Sequence, residues 1–80
     1  MFEERLNKQE YGYLKQYGTN LSYVARFFER DSEYFVEFED YEMFSIHLLF
    51  DIVHYGMDNQ DTVNDIGREL YAIHDRIYYE

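Results

Sequence analysis

The apolar positions of this chain follow a helical rhythm, then an alternating one, then a helical one twice more. Residues 3–16 read as a first helix, with Leu6, Lys8, Glu10 and Leu14 among good helix formers and Gly18 placed where a left-handed C-cap would end it. Gly12 weakens that segment, and Tyr11, Tyr13 and Tyr17 would also suit an extended stretch. From Leu21 to Glu29 the pattern alternates, with Leu21, Tyr23, Ala25 and Phe27 on one face. Glu33 to Glu39 alternates too, setting Tyr34, Val36 and Phe38 against Glu33, Phe35, Glu37 and Glu39. A turn at Asp31-Ser32 pairs Phe27 with Val36 and Ala25 with Phe38 on the inner face and puts Arg26 beside Glu37 on the outer one. Asp-Ser is not the strongest turn dipeptide, so a longer loop stays open.

Helical spacing returns from Tyr41 to Tyr55, where Phe44, Leu48, Ile52 and Tyr55 share a face widened by Leu49 and Val53, and Gly56 supplies a stop. Residues 41–46 also alternate, which leaves a third short strand open at the start of this helix. A polar loop, Met57 to Asp61, precedes Thr62 and Asp65, whose spacing resembles a capping box, and Ile66, Leu70, Ile73 and Ile77 mark the face of a last helix. The predicted fold is a single α+β domain over 1–80: an N-terminal helix, an antiparallel β-hairpin and two C-terminal helices.

Composition sharpens this picture. A chain of 80 residues that is 46% apolar and 21% aromatic has enough surface to bury to fold, but only one small core. The formal net charge of −10 makes phosphate a poor ligand and a basic surface a good one. That charge is concentrated. Between Asp31 and Gly67 stand ten carboxylates (Asp31, Glu33, Glu37, Glu39, Asp40, Glu42, Asp51, Asp58, Asp61, Asp65) and no Lys or Arg. The chain has no cysteine, which excludes disulfides and thiolate chemistry. Its acidic start and the lack of any apolar run near 20 residues argue against a secretory signal or a membrane span, so a soluble, cytoplasmic protein is expected.

Candidate chemistry is sparse. His47, Asp51 and His54 fall at i, i+4 and i+7, a set zinc accepts. The same positions are what remains when Phe44, Leu48 and Ile52 turn inward, so a solvated polar stripe accounts for them without metal. The window Asp58 to Glu69 begins and ends on acids as an EF-hand loop does, but Gln60 and Val63 occupy positions that need Asp or Asn and Gly. Carboxylate pairs abound with no sign of a pocket to raise one pKa, and phosphate loops and nucleophile elbows are missing, so neither catalysis nor a cofactor is expected. The ten tyrosines suit both core edges and interfaces, Tyr34, Tyr41, Tyr55 and Tyr71 above all.

A rigid hairpin that spaces carboxylates like phosphates makes a binding surface. Its expected members are Glu33, Glu37, Glu39, Asp40, Glu42 and Tyr41, with Asp58, Asp61 and Asp65 as a flanking cluster. In the stretch Glu29-Arg30-Asp31-Ser32-Glu33 through Glu37-Phe38-Glu39-Asp40-Tyr41-Glu42, in the loop Asp58-Asn59-Gln60-Asp61, and in a hairpin flanked by helices, the chain resembles small acidic phage and mobile-element proteins that block host-defence nucleases. These are the anti-CRISPR proteins and the anti-restriction DNA mimics; some type II anti-CRISPR proteins that occupy the PAM-reading site of Cas9 share this order of elements. The resemblance implies stoichiometric occlusion of a basic nucleic-acid-binding protein, in the host cytosol and without a cofactor. The competing expectation is an acidic interaction module, an antirepressor or regulator, that binds a transcription or other host factor through aromatic residues. Neither reading involves direct contact with nucleic acid or membrane, and oligomeric state stays open.

Overall fold

The structure, a computed structural model, describes residues 1–58 and 62–79. Strand β1 (Phe2–Leu6) leads into helix α1 (Lys8–Tyr17) and a 3₁₀ turn at Leu21–Tyr23. The hairpin β2 (Ala25–Arg30) and β3 (Glu33–Phe38) precedes α2 (Tyr41–Tyr55), the two-residue strands β4 (Met57–Asp58) and β5 (Thr62–Val63), and α3 (Asp65–Tyr78). The predicted α+β class and the hairpin followed by two helices stand.

The hairpin register is the expected one, with Ala25 opposite Phe38, Arg26 opposite Glu37 and Phe27 opposite Val36. The turn has only two central residues, and both take left-handed backbone, at φ 54° for Asp31 and 66° for Ser32. Two successive positive φ values match the right-handed twist of the flanking strands, and Asp tolerates that conformation better than most residues.

The N-terminus differs from expectation. Residues 2–6 form no helix but pair antiparallel with β3, Phe2 opposite Phe38 and Leu6 opposite Tyr34, so β3 is the central strand in the order β1-β3-β2. The third strand is therefore this one, and Tyr41 to Ile46 are helical. Helix α1 starts later, at a capping box in which the Asn7 side chain accepts from the Glu10 amide and Glu10 accepts from the Asn7 amide. Gly18 does not take the left-handed C-cap conformation; its φ is −83°, and it is needed because a Cβ there would stand 2.5 Å from the Leu14 carbonyl oxygen.

Two further corrections concern the C-terminal half. Met57 and Asp58, expected to begin a polar loop, instead pair as β4 with Val63 and Thr62 of β5, and residues 59–61 of that loop lie outside the described residues. Helix α3 is capped by Asn64, whose side chain accepts from the Gly67 amide, and Thr62 belongs to β5. Gly56 and Gly67 let the end of α2 meet the start of α3: a Cβ on Gly56 would fall 2.5 Å from the Gly67 Cα.

The core lies between the inner face of the sheet and the helices. Val36 and Phe38 meet Phe44, Leu48 and Ile52 of α2, Leu70, Ile73 and Ile77 of α3, Leu14 of α1 and Leu21 of the 3₁₀ turn, all fully or nearly fully buried. The Phe38 and Phe44 rings stack at 4.6 Å. Among the described residues no helix is long and apolar enough to cross a membrane.

Candidate functional site

Each carboxylate of the acidic stretch has its own environment, and the differences decide where a negative field remains. Glu33 and Glu37 do face away from the core, as the alternation requires, but they do not form a bare acidic face. The outer face of the sheet brings Arg5, Arg26 and Arg30 against Glu3, Glu33 and Glu37, three bases to three acids. Arg26 pairs with Glu37 at 3.1 Å, Arg5 with Glu33 at 3.2 Å and Arg30 with Glu3 at 2.7 Å. Beneath them Phe28 stacks on Phe35 at 5.4 Å, with the Arg26 guanidinium 4.8 Å from the Phe28 ring and that of Arg30 4.7 Å from the Phe35 ring. Such exposed pairs each contribute little to stability, but together they cancel the charge of this face.

The two remaining arginines are also paired, Arg68 with Asp65 at 2.6 Å and Arg76 with Glu10 through two contacts of 2.8 Å. Asp58 accepts from the Asn64 side chain, and Asp61 lies outside the described residues. Glu29 and Asp31, at the β2–β3 turn, are exposed and in no ion pair among the described residues, but the densest group of carboxylates without a basic partner is at the corner between β3 and α2. Glu39, Asp40 and Glu42 are exposed there, and no Lys or Arg among the described residues pairs with them. Asp40 is the N-cap of α2, accepting from the Glu42 and Met43 amides, a placement that also favours anionic side chains through the helix dipole. Tyr41 sits at the centre, its ring 4.5 Å from Phe2 and 4.9 Å from Phe38, and its hydroxyl donates to Glu4 at 2.7 Å. Strand β1 thus adds Glu4, which the sequence pattern had assigned to a helix, to the same corner.

No family model, curated protein or solved structure matches this chain. Its chemistry has to be read from its own geometry.

The His47, Asp51 and His54 set does not converge. Among the described residues no three His, Asp or Glu side chains gather as a metal site. The solvated-stripe expectation fails for Asp51, which is 1% exposed. Its carboxylate accepts from the Asn20 and Leu21 amides, each at 2.8 Å, and from the Thr19 hydroxyl at 3.2 Å. This cap is why Leu21 to Tyr23 leave the alternating pattern and turn as 3₁₀. His47 bonds Asn20 through Nδ1, while His54 packs edge-on against Tyr55.

One constellation that sequence spacing could not announce is Ser45, His74 and Asp75. Ser45 Oγ lies 2.6 Å from His74 Nε2, and His74 Nδ1 lies 2.9 Å from an Asp75 carboxylate oxygen. An ionised carboxylate only accepts, so Nδ1 carries a proton, and in the neutral imidazole Nε2 then accepts from the serine, the polarity of a nucleophile relay. The surroundings do not support acyl transfer. Ser45 and His74 are buried between α2 and α3. Ser45 also lies within α2, where the neighbouring amides are spent on helix bonds and none is free to hold an oxyanion. The pair satisfies two polar groups inside the helix interface.

The second unannounced feature is apolar. Helix α2 turns Met43, Ile46, Phe50 and Val53 outward, at 42%, 46%, 55% and 65% exposure, in steps of three, four and three residues. Shallow depressions lie at both ends of this stripe. One is of about 630 Å³, reaching from Met43 to Tyr23 and Ala25; the other is of about 510 Å³, beside Phe50, Val53 and His54. The spacing was readable in the sequence, but the inward stripe of Phe44, Leu48 and Ile52 already accounted for the helix. Of the four tyrosines singled out, Tyr34 packs at a tilt against Tyr11, Tyr41 against Phe2 and Tyr55 against Tyr17, so three finish the core edge, while Tyr71 is exposed.

Proposed function

We propose that this domain is a non-catalytic, stoichiometric inhibitor whose acidic corner occupies the groove of a basic nucleic-acid-binding protein, with host-defence nucleases such as CRISPR effectors as the target class. The observation that supports it is the distribution of arginines. All five are paired with acids elsewhere, which leaves Glu39, Asp40 and Glu42 as a concentrated negative field around Tyr41. On this reading the binding centre narrows from Glu37, Glu39, Asp40 and Glu42 to the last three, at the β3–α2 corner, because Glu37 is held by Arg26. Carboxylates held on a strand end and a capped helix start are pre-ordered, so little conformational freedom is lost when a groove of Arg and Lys side chains closes on them.

Electrophoretic competition between this protein and DNA for purified basic nucleases tests the proposal. The triple variant Glu39→Gln, Asp40→Asn, Glu42→Gln retains the α2 cap, because Asn caps as well as Asp. It is expected to lose DNA displacement by tenfold or more, and displacement by the parent is expected to fall steeply with salt. Glu69→Gln on α3 serves as the control. A ternary complex of protein, nuclease and DNA with unchanged DNA affinity would exclude groove occupancy.

A second reading has its own support. The exposed stripe on α2 suits an acidic module that holds a transcription factor or other regulator through apolar and aromatic side chains. Its binding would tolerate salt and fail on truncation of Phe50.

A further inference from the structure

We infer that α2 is a self-association surface on which a second copy of this chain packs antiparallel, a conclusion independent of which target the acidic corner meets. Helix α2 is apolar on two opposite sides. Phe44, Leu48 and Ile52 are buried inside the domain, while Met43, Ile46, Phe50 and Val53 face out. A helix that is apolar all round belongs to an environment that covers it all round. The outward residues repeat in the 3-4-3 spacing of a coiled-coil seam, the pattern that lets two helices interlock side chains along a shared line.

Charge selects the occupant and its direction. In a chain of 17 acids, the outward side of α2 carries none from Met43 to His54, because Asp51, the one acid in that span, is turned inward onto the 3₁₀ turn. A contact through this side therefore brings no carboxylate of the stripe of either copy against the other, in a protein of net charge −10. A parallel pairing would bring two acidic corners together, Glu39, Asp40 and Glu42 against the same residues. An antiparallel pairing separates the corners. It sets the N-terminal end of each α2, with Asp40 and Glu42, beside the C-terminal end of the other, which carries His54 and no acid, and it opposes the two helix dipoles favourably.

The available area sets the strength. The four side chains leave roughly 400 Å² of apolar surface per copy, about half of the share each partner contributes to a standard interface, so the association is weak and concentration-dependent. The depressions at the two ends of the stripe, beside Met43 and beside Val53, give the partner's side chains places to enter.

Sedimentation velocity from 5 to 500 µM is expected to show the mass rising from 9.9 kDa to twice that value, and rising sooner at 1 M than at 0.1 M salt as the charge repulsion is screened. Binding to a basic groove has the opposite salt dependence, so the two proposals fail separately. Phe50→Glu is expected to weaken association by more than tenfold; Val53→Asn, at a more exposed position, is a second variant for which folding is secure, and Tyr71→Glu on α3 should change nothing. Because the chain has no cysteine, orientation is read from introduced ones. Under mild oxidation, Met43→Cys mixed with Val53→Cys should give the mixed disulfide in excess over either homodisulfide. A 9.9 kDa species at every concentration and salt, association untouched by both stripe variants, or a preference for the Met43→Cys homodisulfide would overturn the inference.

Discussion

Helices α2 and α3 have nearly the same length, 15 and 14 residues, and pack on each other, yet only one of them is completed by folding. Helix α3 is amphipathic in the ordinary sense: Leu70, Ile73 and Ile77 are buried, while Arg68, Tyr71 and Asp75 face out. Helix α2 buries an equivalent stripe and then presents a second one to solvent. The contrast separates two roles of apolar residues. The inward stripes hold the domain together, whereas the outward stripe of α2 is only about half covered by its own chain and leaves apolar surface that an intermolecular contact would use. The charges divide in the same manner. On the sheet, acids are cancelled by arginines; at the head of α2 they are left open.

The sharpest way to break this contrast is to truncate one residue from each stripe of α2. Leu48→Ala, at a fully buried position, is expected to lower the unfolding free energy by about 2–5 kcal/mol in urea denaturation. Phe50→Ala, two residues on, should cost no more than about 0.5 kcal/mol at monomer concentrations. Comparable losses would mean that the outward stripe is part of the core after all.

Next in size is Asp51, the acid that α2 buries instead of displaying. Asp51→Ala orphans the Asn20 and Leu21 amides and is expected to cost about 2–3 kcal/mol. Asp51→Asn retains one acceptor and should cost less, with hydrogen exchange rising first at those two amides. The smallest effect is expected on the sheet. A double-mutant cycle of Arg26→Ala and Glu37→Ala should give a coupling of roughly 0.2–1 kcal/mol that fades with salt, as exposed pairs do. Neutralising Glu39 or Glu42, which have no such partner, should leave stability unchanged or slightly raised.

What the sequence determined by itself are the elements whose periodicity has one physical reading. Alternation placed Ala25, Phe27, Val36 and Phe38 on one face and set the register between them, because a slip of one residue would turn that whole set to solvent. The faces of α2 and α3 followed from 3.6-residue spacing for the same reason, except at Val53, which was expected to widen the inward stripe of α2 and instead faces out. Tertiary structure decided the rest. Phe2 to Leu6 are a strand only because β3 offers a free edge; their local composition of Glu, Arg and Leu suits a helix equally well. The 3₁₀ turn at Leu21 exists because a carboxylate 30 residues away caps it. Above all, the acidic stretch reads as one field along the chain, but Arg5, Arg26 and Arg30 reach Glu33, Glu37 and Glu3 across strands. Coulomb attraction acts through space and not along the sequence, so only the fold could show that the open charge is densest at Glu39, Asp40 and Glu42.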